Sequence, residues 1–241
     1  KSAVGLPEVT IGLLPGGGGT QRVPRLIGVM EGLKFLTEGR PMPAPEALKK
    51  GLVHELAPQA EIVARARRWI LGGGEALAPW DRKGFKVPGG AGAMHPGAAQ
   101  VFMAGTALTA GRTQHNYPAP LAILSAVYEG TQLPIDLGFA VEGKYFATLL
   151  AGPVARNLMR TMFVHKVHAD TLVRRPEGVP KGKITKLGVL GAGMMGAGIA
   201  YVSARAGMKV VLIDATIELP MSSATSACIS SAKPSSSASS R

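Results

Sequence analysis

Ile184-Thr-Lys-Leu-Gly-Val-Leu-Gly191-Ala-Gly193-Met194-Met195-Gly196 is the most decisive stretch of the chain. An apolar, β-type run enters a G-x-G-x-x-G turn. Ala197 to Ala206 then reads as a helix closed by Gly207, and Lys209-Val-Val-Leu-Ile is a second apolar strand that ends at Asp214. Gly191 permits the tight strand-to-helix turn, Gly193 lets the backbone approach a pyrophosphate, and Gly196 lets the helix pack close on the strand. The helix start adds free N–H groups and the positive end of its dipole. Asp214, 23 residues after Gly191, is placed to accept hydrogen bonds from an adenosine ribose. An acid there favours NAD over NADP, because it repels a 2′-phosphate. The candidate cofactor is NAD, and its candidate contacts are Gly191, Gly193, Met194, Met195, Gly196 and Asp214. A membrane span is the competing reading, since Leu187 to Ala204 is 18 residues without a charge. The clustered glycines and the strand that follows favour the turn.

Outward from this unit the composition changes on both sides. Half of the twenty residues from Ser222 are serine, so 217–241 is expected to be a disordered tail that buries too little apolar surface to offset its ordering entropy. Upstream, Arg174, Arg175, Lys181 and Lys183 alternate with Pro176 and Pro180, a basic linker with the composition of a domain boundary. Residues 119–168 read as three helical segments broken at Pro134 and Pro153. Residues 72–118 read as a loop-rich connector with short helices.

Residues 1–70 look globular. Helices are expected from Thr20 (with Pro24 in its first turn), over Met30 to Leu36, over Pro45 to Lys50 and over Glu61 to Leu71, with a strand over Leu52 to Leu56. The domain reading is 1–71, a linker over 72–183, a nucleotide unit over 184–216, and the tail.

The whole chain has 241 residues, 46% of them hydrophobic, enough for a core in one or two domains. Its 32 Gly and 18 Pro show no G-X-Y period, which excludes collagen. One cysteine excludes a disulfide scaffold and a thiolate zinc site. No metal site is expected; His165 and His168 could share a helix face but have no evident third ligand. A net charge of +12 suits nucleic acid, an anionic membrane or an acidic small ligand. No RNA-binding aromatic motif or zinc spacing supports the first, and a basic nucleic-acid- or membrane-surface binder is the alternative reading. Nothing directs export, so the expected compartment is a bacterial-type cytoplasm, with mitochondrion or peroxisome as alternatives.

The second informative stretch is Leu6-Pro7-Glu8-Val-Thr-Ile-Gly12-Leu-Leu-Pro15-Gly16-Gly-Gly-Gly-Thr20-Gln21-Arg22. It lacks the Lys and Ser/Thr of a P-loop. Glu8 through Arg22 closely resembles the crotonase (enoyl-CoA hydratase/isomerase) superfamily. The match continues through Leu36-Thr-Glu-Gly-Arg40, Ala47-Leu-Lys-Lys-Gly-Leu-Val53, Pro79-Trp-Asp-x-Lys83-Gly-Phe-Lys86 and Tyr117-Pro-Ala-Pro-Leu-Ala-Ile-Leu124. With the nucleotide unit behind it, the order resembles multifunctional fatty-acid β-oxidation enzymes over about residues 1–216.

The resemblance implies an α/β fold: the C-terminal part of a crotonase-like domain, a helical linker and the first β-α-β of a Rossmann domain. It implies hydration of 2-enoyl-CoA and NAD-dependent oxidation of 3-hydroxyacyl-CoA. Acyl-CoA would be the substrate, and a thiolase subunit a partner. Glu8 matches the second of two catalytic glutamates, and Gly16 a backbone position close to the catalytic water. One carboxylate takes a proton from the water attacking the β-carbon, and the other supplies one to the α-carbon. The family's first glutamate, both oxyanion donors and the dehydrogenase His–Glu pair match nothing here. The chain is therefore expected to be a piece cut at both ends and inactive alone, leaving the family pattern after Thr216.

Overall fold

The structure, a computed structural model, describes residues 2–180 and 182–214. The expected tail, 217–241, lies outside the described residues. The chain divides into two compact units, Lys1–Arg174 and Arg175–Arg241.

The first unit is mostly helical. A short antiparallel ladder pairs β1 (Ala3–Val4) with β2 (Met42–Pro43). A 3-10 turn, Pro7–Ile11, precedes α1 (Gly19–Ile27), α2 (Val29–Glu38), α3 (Ala44–Lys50) and α4 (Ile62–Leu71). Then follow α5 (Pro96–Thr113), α6 (Pro118–Gly130), α7 (Ile135–Ala151) and α8 (Pro153–Met159). A π-helical turn, Arg160–His165, leads on into α9 (Lys166–Asp170). The boundaries follow backbone chemistry. Proline opens α5, α6 and α8, where its missing N–H costs no helical hydrogen bond. Gly39 and Gly51 close α2 and α3 in the left-handed conformation.

One apolar cluster runs from Val9 through Leu14, Leu36 and Phe102 to Ile123, Val127 and Ala155. The helix α6 sits deepest, burying Ala119, Ile123, Ala126, Val127 and Gly130 at spacings of three and four. On α7 the buried positions are Gly138, Glu142 and Leu149, one stripe with an acid in it.

Three expectations are corrected here. Leu52 to Leu56 is not a strand: after the Gly51 cap, the Leu52 N–H turns back to the Ala47 carbonyl at 2.8 Å. Pro24 lies inside α1 rather than in its first turn. The stretch 72–118 contains an 18-residue helix, α5. Its Ala, Gly and Thr residues spread around the axis, so no apolar stripe marks it as a helix.

In the second unit β3 (Lys186–Leu190) and β4 (Lys209–Ile213) pair in parallel, from Lys186↔Lys209 to Leu190↔Ile213. The crossover is α10 (Met194–Arg205). Among the described residues no helix is long and apolar enough to cross a membrane.

Candidate functional site

Glu8 stands in the 3-10 turn that Pro7 opens. Its Oε2 is buried and has no hydrogen-bond partner, which holds for no other buried side-chain oxygen or nitrogen among the described residues. An orphaned buried carboxylate oxygen is costly, and such groups concentrate where a ligand or water completes the set. The turn that carries Glu8 is pinned by a side chain more than a hundred positions away, at the start of α6. The Tyr117 hydroxyl donates to the Val9 carbonyl and accepts the Gly12 N–H at 3.0 Å. Burial pushes the Tyr117 phenol above the ordinary tyrosine range, partly offset by the hydrogen bond from Gly12.

Leu13, Leu14 and Pro15 are buried and separate Glu8 from the glycine run. Gly16 and Gly17 are exposed, while Gly18 is buried. Gly16 lies against α7: a Cβ there would sit 2.7 Å from the Phe146 ring. The run ends on a buried acid that the sequence reading did not single out. Glu142 of α7, 2% exposed, accepts the Gly18 N–H at 2.6 Å through Oε1. Through Oε2 it accepts the Thr20 N–H at 2.9 Å and the Thr20 hydroxyl at 2.6 Å. A carboxylate thus caps the start of α1, where unsatisfied N–H groups and the helix dipole favour negative charge.

The network continues inward. Gln21 Nε2 donates to Thr20 Oγ1 at 3.1 Å and to the Ala126 carbonyl at 2.9 Å. Gln21 is wedged between two glycines: a Cβ on Gly130 or Gly138 would lie 2.3 or 2.7 Å from its Oε1. Arg25 reaches the Gln21 carbonyl, Gln21 Oε1 and the carbonyls of Gly130 and Leu133, all at 2.9–3.0 Å. Arg22 lies over the Phe139 ring at 4.6 Å and bonds the Gly17 carbonyl. Thr20, Gln21 and Arg25 therefore form a buried polar lock with α6 and Glu142 of α7, while Arg22 stays exposed beside it.

In the second unit the glycine turn has the geometry its pattern requires. Gly191 has φ +91°, and its N–H bonds the Ile213 carbonyl at 2.7 Å. A Cβ on Gly196 would lie 1.8 Å from the Gly191 carbonyl oxygen, so only glycine lets α10 start this close to β3. Around Gly193 the space is open, with no atom within 4 Å of a Cβ built there. Met194 and Met195 are exposed on the first turn of α10. Asp214 follows β4, and its carboxylate accepts the Ala192 N–H within the turn. The residues fit a dinucleotide: open space at Gly193, a helix start without a side-chain cap, and an acid beside the turn.

These features define a dinucleotide-binding β-α-β unit that follows a separate helical unit. Residues 186–237 match the family model described as 3-hydroxyacyl-CoA dehydrogenase, NAD binding domain, and residues 1–72 match the one described as enoyl-CoA hydratase/isomerase. In this order the two matches fit a fatty-acid β-oxidation multifunctional enzyme, with NAD as cofactor. They do not favour the reading as a nucleic-acid or membrane-surface binder. The second match reaches residue 237, past Thr216, so the expected departure from the family pattern at that point is corrected.

Among solved structures the chain is similar to an enoyl-CoA hydratase of Geobacillus kaustophilus HTA426. The identity is 24% over 73% of this chain and 50% of that one, with a TM-score of 0.29. It is also similar to an enoyl-CoA hydratase of Bacillus anthracis, at 22% identity over 76% and 52%, with a TM-score of 0.28. The chain spans about half the length of these structures.

Proposed function

We propose that the first unit supplies the Glu8 half of a hydratase acid–base pair acting on 2-enoyl-CoA. The observation that carries the reading is the buried, partnerless Glu8 Oε2. Hydration needs one carboxylate to take a proton from the attacking water and another to supply a proton to the α-carbon. Glu8 is the one residue here that matches either role. Tyr117 and Glu142 hold the backbone that follows it: Tyr117 the turn at Val9 and Gly12, Glu142 the amides of Gly18 and Thr20. The second unit binds NAD through the amides of the Gly191–Gly196 turn and through Asp214. When bound, NAD supplies the hydride acceptor for oxidation of a 3-hydroxyacyl-CoA.

With one carboxylate of the pair and no matched base for the oxidation, the 241-residue polypeptide by itself performs neither reaction. The test is an assay of the purified chain with 2-butenoyl-CoA, following loss of the conjugated thioester absorbance. No hydration above buffer is expected. Hydration that is abolished by Glu8→Gln would show that the chain is already a complete hydratase.

A further inference from the structure

The Pro79-Trp80-Asp81-x-Lys83-Gly84-Phe85-Lys86 stretch takes no part in the Glu8 turn or the nucleotide turn. It lines a cavity of about 670 Å³ in the first unit, between the 80–95 loop, Arg25 of α1 and the 131–135 connection from α6 to α7. Its lining is one-sided in charge. Arg25, Arg82 and Lys86 contribute cations, and no Asp or Glu lines it. Two aromatic rings, Trp80 and Phe85, are half-buried in the same wall.

Arg25 is the unusual member. It is 4% exposed, yet its four hydrogen bonds go to neutral oxygens: three backbone carbonyls and the Gln21 amide. No carboxylate among the described residues is ion-paired with it. A buried cation without an anion carries a desolvation cost that dipoles offset only in part. Burial accordingly lowers the pKa of its guanidinium. Lys86, too, has no ion-pair partner among the described residues. Arg82 pairs with Glu75, itself exposed and outside the lining. An anion placed here would meet one uncompensated buried charge and one free ammonium.

The walls are built before any ligand arrives. A Cβ on Gly90 would lie 2.1 Å from the His95 ring, and one on Gly92 would lie 2.2 Å from Gln132 Oε1, so the loop backbone is packed on the lining itself. On the other side, the Pro88 carbonyl oxygen would lie 3.0 Å from a Cβ on Gly28, at the α1–α2 junction. The volume falls within the range of small-molecule sites.

We infer that this cavity binds a nucleoside phosphate, its phosphate held by Lys86 and Arg82 within the field of Arg25 and its base against Trp80 and Phe85. Cationic side chains beside flat aromatic rings match a charged group joined to a π-face. The site is separate in sequence from the Gly191–Gly196 turn, and the inference does not depend on the hydratase reading. The same chemistry could come from a free nucleotide or from the nucleotide end of a CoA thioester.

The chain has two tryptophans, Trp69 and Trp80. Trp69→Phe, on the exposed face of α4, leaves Trp80 as the sole reporter. Gly193→Ala in the same chain removes nucleotide binding at the second unit. The fluorescence of this full-length variant is titrated with ADP, with CoA and with inorganic phosphate. Saturable change with ADP is expected, weakened about ten-fold by Lys86→Ala, the loss of one charge-assisted contact. Tighter binding of CoA than of ADP would assign the site to the thioester's nucleotide end, and the reverse to a free nucleotide; either supports the inference. No response to ADP or CoA overturns it. So does a response indifferent to Lys86→Ala and Arg82→Ala, and so does inorganic phosphate binding as tightly as ADP.

Discussion

Glu142 and Thr20 are 122 residues apart and joined twice: one carboxylate oxygen accepts both the Thr20 N–H, at 2.9 Å, and the Thr20 hydroxyl, at 2.6 Å. The other oxygen holds Gly18, so the end of the glycine run and the start of α1 are fixed by one buried side chain of α7. Glu142→Ala leaves three buried donors without an acceptor and is expected to destabilise the first unit by about 3 kcal/mol. In thermal unfolding followed by circular dichroism that is a fall of roughly 6–12 °C. Glu142→Gln keeps the volume but turns an N–H₂ toward donors, and should fall between Ala and the parent. An unchanged melting temperature in both variants contradicts the assigned geometry.

Tyr117 makes the corresponding contact at the Glu8 turn. Tyr117→Phe removes a partly buried hydroxyl that serves Val9 and Gly12, at an expected cost of about 1–2 kcal/mol. The pH dependence has a definite sign. The folded phenol titrates above its unfolded value, so its contribution is complete below the ordinary tyrosine range and is lost as pH rises through the raised folded value. The difference in melting temperature between Tyr117→Phe and the parent should therefore shrink in strong alkali. A difference that grows there contradicts the direction of the shift.

Gly196 and Gly193 separate packing from binding. Alanine at 196 places a methyl 1.8 Å from the Gly191 carbonyl and must displace backbone, costing about 1–3 kcal/mol in the second unit. Alanine at 193 meets open space, and its φ of −60° suits any residue. Amide hydrogen exchange over 186–213 should rise in the first variant and stay near the parent in the second. Equal protection in both would mean that the close approach of α10 to β3 is absent.

Lys50 joins α3 to α2 through Glu31. The hydrogen bond from Lys50 holds the Glu31 carboxyl below the ordinary carboxylate range, and the same bond raises Lys50. The Glu31 contribution is present above its unfolded value and lost as pH falls through the lowered folded value. The Lys50 contribution is present below its unfolded value and lost as pH rises through the raised one. Lys50→Met should therefore lower the melting temperature slightly between about pH 5 and pH 10, and least at either extreme. A deficit that persists unchanged in strong acid would assign it to packing instead.

The second unit was nearly all legible, because every feature of it is local: two apolar strands, glycines at fixed offsets, and an acid at the end of β4. Glu8 and the Gly16–Gly19 run were legible through resemblance, and the proline breaks at 134 and 153 placed α7 and α8. What the sequence concealed was long-range. Glu142 and Tyr117 act on residues more than a hundred positions away, and pattern alone does not pair them. One signal was present: Gly138, Glu142 and Leu149 fall on a single helical stripe, and an acid on a buried stripe asks for donors. α5 stayed hidden because small residues surround its axis. Leu52 to Leu56 misled because a short apolar run can be a strand or a capped turn, and Gly51 decides for the turn.

The nucleotide site tests the account most directly, since it joins the glycine turn to the proposed second activity. Calorimetric titration of the full-length chain with NAD should give weak, saturable binding that Gly193→Ala abolishes while the fold persists. No detectable binding in the parent chain, or binding unaltered by Gly193→Ala, would contradict it.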